Sequence, residues 1–234
     1  MIGGAYMIGI VFMLIGMLVG YVLKNKIKKY SLVPSKSGLT GAQVAKKMLD
    51  SYGITDVKII SVQGELTDHY NPANKTVNLS EAVYNGANAA ASAVAAHECG
   101  HAVQHANAYP MLKFRSALVP LQNVSGKIVN IVVMISIFGG AFLYKIFPID
   151  IVLYVIIAAY AVMTAFSLVT LPVEFDASNR ALAWMEKSGN IVTTEEHADA
   201  KDALKWAAST YVVAALASLT TLLYYISMLN RKNN

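Results

Sequence analysis

Four runs of about 20 apolar residues constrain this chain more than any other feature, because that is the length a helix needs to cross hydrocarbon. They lie at residues 4–23 ("GAYMIGIVFMLIGMLVGYVL"), 128–147, 151–171 and 207–229. In hydrocarbon every backbone N–H and C=O must be satisfied within its own segment, so each run is expected as a helix. Only 14% of the 234 residues are charged, against about 25% in soluble domains, which makes the bilayer the solvent for much of the chain. The first run is too long for a signal-peptide core of about 7–15 residues and has no basic stretch before it, so an uncleaved anchor is expected. The link between the second and third runs is only Pro148, Ile149 and Asp150, which predicts a helical hairpin. Gly139, Gly140, Ala158 and Ala159 would let its backbones approach closely.

Basic residues set the orientation. Lys24, Lys26, Lys28 and Lys29 follow the first run, and Arg180, Lys187, Lys201 and Lys205 lie between the third and fourth. The other side holds Lys145, with Arg231 and Lys232 at the C-terminus. Residues 24–127 and 172–206 are therefore expected in the cytosol. The organisation is a mainly α membrane protein. Residues 1–23 form an anchor, 24–127 a small α+β cytosolic domain, and 128–171 a transmembrane hairpin. A cytosolic segment at 172–206 is followed by a last transmembrane helix and short tail at 207–234. The net charge of +5 belongs to juxtamembrane lysines facing anionic lipid, and nothing resembles a nucleic-acid motif. The single cysteine, Cys99, excludes a disulfide framework and all-cysteine zinc sites.

Within the polar domain, "SGLTGAQVAKKMLDSYGI" predicts a short amphipathic helix capped by Thr40, with Val44, Met48 and Leu49 on one face and Gly53 as its stop. "DVKIISV" reads as a strand. After a Tyr-Asn-Pro-Ala-Asn turn, "KTVNLS" reads as a second strand, either an edge that could pair with an extended substrate or a buried strand of a small sheet. The alanine-rich stretch that follows predicts a helix from about 88 to 107.

That helix carries "AAHECGHAVQHA". Residues four apart on a helix lie about 40° apart around the axis and about 6 Å along it, so His97 and His101 can converge on one ion. Zn²⁺ suits two imidazoles, a carboxylate and an open position. Glu98 stands where a carboxylate can take a proton from a water at that position, and the H-E-x-x-H pattern on a helix is a strong signal of this chemistry. His105 is about 12 Å along the axis from His97, too far to share the ion. It is expected as a polar-face residue, or as a donor to a neighbour. Cys99 is expected as a packed side chain. For a further ligand, "TLPVEFDASNRALAWMEKS" offers Glu174 on the same side of the membrane. The alternatives are that Glu174 marks the interface or pairs with Arg180.

These two motifs, with "YPMLKFRSALVP" and "LTDHYNPANKTVNLS", resemble the YugP-like family of neutral zinc metallopeptidases, bacterial membrane proteins of the gluzincin type. The resemblance covers almost the whole chain. It implies a zincin-like cytosolic domain, one Zn²⁺ per chain held by His97, His101 and Glu174, Glu98 as catalytic base, and a protein or peptide substrate. It implies a plasma-membrane peptidase with its site on the cytosolic face. More broadly, the chain is similar to membrane peptidases of the HtpX and CAAX-processing type. Those place an acid four positions after the third ligand, where this chain has Ser178 and its acid is Asp176. Asp176 is then a candidate partner of a zinc histidine, and His69, Tyr70, Asn179 and Arg180 are candidates to stabilise an oxyanion. A membrane-protein partner or a second copy of the chain is compatible with such a protein. The rival readings are a membrane scaffold with a structural zinc site, which would usually gain a fourth protein ligand, and a transporter, which would want ionisable residues within its spans.

Overall fold

Apolar length becomes helix in the structure, a computed structural model that describes residues 3–138, 148–188 and 193–233. In chain order the elements are α1 (Gly3–Ser31), α2 (Gly41–Ser51), β1 (Lys58–Val62), β2 (His69–Asn71), β3 (Thr76–Ser80), α3 (Glu81–Tyr84), α4 (Ala89–Ala106), α5 (Pro110–Phe138), α6 (Ile149–Lys187) and α7 (Thr194–Asn233). The described chain is mostly helical. Four of its helices, α1, α5, α6 and α7, are long and apolar enough to cross a membrane. At 39 residues, α6 is about twice the length a span requires.

The second apolar run differs from expectation at its start. Its helix begins at Pro110 and passes through Pro120 without a break. The remainder of the expected span, residues 139–147 with Gly139, Gly140 and Lys145, lies outside the described residues.

The chain divides into two compact units. One comprises Met1–Met17, Lys113–Leu171 and Tyr211–Asn234. Within it Val152 and Ile156 are buried against Val132, Ile135, Tyr160 and Tyr225. The other comprises Leu18–Leu112 and Pro172–Thr210 and holds the sheet, α2 to α4 and the H-E-x-x-H motif.

Local chemistry explains the elements of this second unit. Thr40 and Gln43 form a reciprocal capping box at the start of α2, which satisfies two of the helix's orphan donors. Gly53, at φ +68°, takes the left-handed conformation that stops α2 without a Cβ clash. The Asn88 side chain accepts from the Ala91 N–H to start α4. Val44, Met48 and Leu49 of α2 pack with Val77 and Leu79 of β3, Cys99 and Val103 of α4, and Ala181 and Met185 of α6 in one buried core.

The sheet decides between the two readings of "KTVNLS". Its order is β1-β3-β2, with β1 parallel and β2 antiparallel to β3. "KTVNLS" is therefore the central strand, buried at all five residues, and has no free edge for a substrate. Its polar side chains are satisfied in place: the Asn78 amide donates to the His69 and Thr76 carbonyls. The Ser80 N–H and hydroxyl both donate to Asp68. Of the three strands, β1 and β2 are the edges.

Candidate metal centre

Small residues bring α6 against α4. Gly100 lies on α4 between the two motif histidines, and a Cβ there would stand 2.4 Å from the Ala177 carbonyl oxygen of α6. At that approach Glu174 reaches both histidines. Its Oε2 is 3.4 Å from His97 Nε2 and 3.5 Å from His101 Nε2. The three donor atoms all lie within 4.8 Å of one another. Four ligands placed tetrahedrally at the usual zinc distances are about 3.3 Å apart, so the donor set fits one such ion in chemistry, and its two carboxylate–imidazole distances match that spacing. The imidazole rings stand edge to face at 83°, with Nε2 of each turned to the carboxylate.

The other ring nitrogens are also engaged. His97 Nδ1 is 3.1 Å from Ser178 Oγ, and His101 Nδ1 is 3.0 Å from Gln104 Oε1. Gln104, fully buried, donates from Nε2 to the Val173 carbonyl at 2.7 Å and to Asp176 Oδ2 at 2.8 Å. Asp176 in turn accepts from Arg180 Nε at 2.6 Å, and the Arg180 guanidinium stacks over Tyr109.

Electrostatics follow from this enclosure. Burial alone would raise the Glu174 carboxyl, but its hydrogen bonds and charge interactions with His101 and His97 hold it well below the usual carboxylate range. Burial would likewise lower the His101 imidazole. The Glu174 hydrogen bond and the Glu98 and Glu174 charges outweigh that and raise it. Cys99 sits on another face of α4, where its thiol donates to the Ala45 carbonyl and burial pushes its pKa up, so it is a packing residue.

The remaining candidates separate on geometry. Glu98 is buried beside His97. Asp176 touches neither histidine and reaches His101 only through Gln104, because two residues along a helix turn about 200° away from Glu174 whereas four return to its side. The residue that takes the place beside His97 is therefore Ser178. Asn179 is exposed, and Arg180 is engaged with Asp176. His69 is exposed on β2, with Nδ1 at 2.8 Å from the Thr67 carbonyl oxygen. His105 is 2.7 Å from the Tyr70 hydroxyl, whose pKa burial and nearby Asp56 push up to about 12. Sequence reasoning assigned no role to Gln104 or Gly100 and noted Ser178 only as a departure from an expected acid. The available signal was spacing: Gln104 is three residues after His101 and Ser178 four after Glu174, the separations at which helical side chains meet.

Two histidines of one helix closed by a carboxylate from a second make a candidate metal-ligand set, in a chain with four helices long and apolar enough to cross a membrane. The chain belongs to the family described as "putative neutral zinc metallopeptidase", whose profile matches residues 5–230. It is 41% identical over 206 residues, 88% of each chain, to the "Putative membrane protease YugP" of Bacillus subtilis (strain 168). No solved structure matches the chain significantly.

Proposed function

We propose that this protein is a membrane-embedded zinc metalloendopeptidase of the gluzincin type. It hydrolyses peptide bonds in membrane-associated or unfolded proteins at the cytosolic face of the plasma membrane. The observation that carries the reading is the Glu174 carboxylate lying 3.4 and 3.5 Å from the two Nε2 atoms, with Glu98 on the same helix one residue from His97. His97, His101 and Glu174 would hold one zinc ion. When bound, zinc supplies a Lewis acid that makes water a nucleophile at neutral pH and polarises a carbonyl.

The chain's own residues do the rest. Glu98 takes the proton of the attacking water and returns it to the leaving amine, acting as base and then acid. Ser178 holds the His97 ring by its contact with Nδ1. With β3 central, substrate pairing falls to an edge strand, and β2 is the edge whose Tyr70 is tied to α4 through His105. Lysines flanking the first and third spans support a cytosolic site for this zincin-like domain.

The test is cleavage of an unfolded protein by detergent-purified enzyme, read by mass spectrometry. The expected result is cleavage by the wild type that is lost on chelation. It should also be lost in Glu98→Gln, with the zinc content of that variant unchanged. Equal cleavage by Glu98→Gln, or a zinc-loaded wild type that cleaves nothing, would overturn the reading.

A further inference from the structure

Gln104 is an unusual side chain to bury completely beside a metal site, and its surroundings leave its amide one orientation. The two groups on one end are the Val173 carbonyl at 2.7 Å and the Asp176 carboxylate at 2.8 Å. A carbonyl only accepts, and so does an ionised carboxylate. The Val173 carbonyl by itself calls for an N–H donor at this end, and Asp176, which accepts from Arg180 Nε at 2.6 Å, offers a second acceptor. The end facing them must therefore be the NH₂, with both protons used. The oxygen is left to face His101 Nδ1 at 3.0 Å. An amide oxygen accepts, so Nδ1 carries a proton, which leaves Nε2, the atom turned toward Glu174, as the nitrogen that can coordinate a metal.

Metal-binding imidazoles are commonly backed by a carboxylate, a backbone carbonyl or water. Here a neutral amide is interposed, and the carboxylate lies one side chain further out. We infer that Gln104 is a positioning residue for His101: it fixes the tautomer and ring direction of this ligand by transmitting the arrangement of Asp176, Val173 and Arg180 on α6 to α4. The inference rests on the zinc reading above.

The experiment measures zinc affinity by chelator competition on the full-length detergent-purified protein. It compares the wild type with Gln104→Met, Gln104→Glu and the double variant Gln104→Glu/Asp176→Asn. Gln104→Met keeps the shape and loses the hydrogen bonds, and affinity should fall about 10- to 100-fold. Gln104→Glu should also fall, because two carboxylates then face each other across the 2.8 Å contact. The double variant restores an acceptor for His101 and a donor at the Asp176 position, while the Val173 carbonyl still faces an oxygen, so it should bind zinc more tightly than Gln104→Glu but less tightly than the wild type. A packing role alone predicts Gln104→Met near wild-type affinity and a double variant no better than Gln104→Glu. Either result overturns the inference. If Gln104→Met fails to fold, the comparison of Gln104→Glu with the double variant decides. A wild type that takes up no zinc ends the peptidase reading itself, an outcome distinct from failure of the variants.

Discussion

A single methyl group at Gly100 should disrupt the candidate zinc site. The Cβ added by Gly100→Ala would lie 2.4 Å from the Ala177 carbonyl oxygen, 3.0 Å from its carbon and 3.1 Å from its Cα. All three atoms are backbone, so no rotamer change relieves the clash. Ordinary contact begins at 3.4 Å, which requires α4 and α6 to separate locally by about 1 Å. Ala177 sits between Glu174 and Ser178, so both follow the displacement. The 3.4 and 3.5 Å approaches of Glu174 to the histidines then open by several times the roughly 0.2 Å latitude of a metal site. Zinc affinity should fall by about 100-fold, the scale on which a 1 Å misplacement acts. Stability without metal should fall by up to about 2 kcal/mol, because alanine gains about 1 kcal/mol of helix propensity over glycine against about 1–3 kcal/mol of overpacking. Gly41→Ala is the control. Its Cβ would meet the Val83 carbonyl oxygen at 2.2 Å and, at 3.2 Å, that of Ala91 in the first turn of α4, away from the histidines, and should lower thermal stability by a similar amount while sparing zinc affinity. The assays are chelator competition and thermal unfolding of chelator-treated protein. A Gly100→Ala protein that binds zinc within about threefold of the wild type would refute the claim that this contact sets the ligand spacing.

Two further predictions concern the same unit. Ser178→Ala removes the group 3.1 Å from His97 Nδ1 and should lower zinc affinity about tenfold with no change in secondary structure by circular dichroism. Asp202 accepts from Lys26 at 2.8 Å and Tyr30 at 2.5 Å, and these hydrogen bonds hold its carboxyl below the ordinary value. Because the folded pKa is the lower one, this stabilisation is present above the unfolded carboxylate pKa of about 4 and is lost as pH falls through the folded value. Asp202→Asn should therefore be less stable than the wild type at neutral pH by up to about 1 kcal/mol. The difference should shrink toward zero below about pH 4, as thermal unfolding of the two proteins across pH 3–8 will show.

The site was partly legible in the sequence because half of it is local. His97, Glu98 and His101 lie within two turns of one helix, and helix geometry converts their spacing into proximity without knowledge of the rest of the fold. Glu174, 73 residues after His101, could be nominated by topology but not placed. Gln104 and Ser178 had the right spacing, yet a spacing of three or four allows a contact without requiring it. What required it was the approach of α6, which brings Ser178 to a histidine of α4, and Asp176 to the Gln104 amide. Asp176 illustrates the converse: an acid near the right position, directed away from the histidines by its place on the helix.

The sequence by itself determined the apolar helices, the Thr40 cap of α2 and the two-histidine face of the motif. These follow from backbone hydrogen bonding, side-chain periodicity and turn chemistry within a few residues of chain. The tertiary structure alone decided that "KTVNLS" is a central strand, that Glu174 closes the histidine pair, and that a buried amide stands behind His101. Strand order and interhelical approach depend on contacts between segments far apart in the chain, here on small residues such as Gly100 and Ala177 whose significance appears only when two backbones meet.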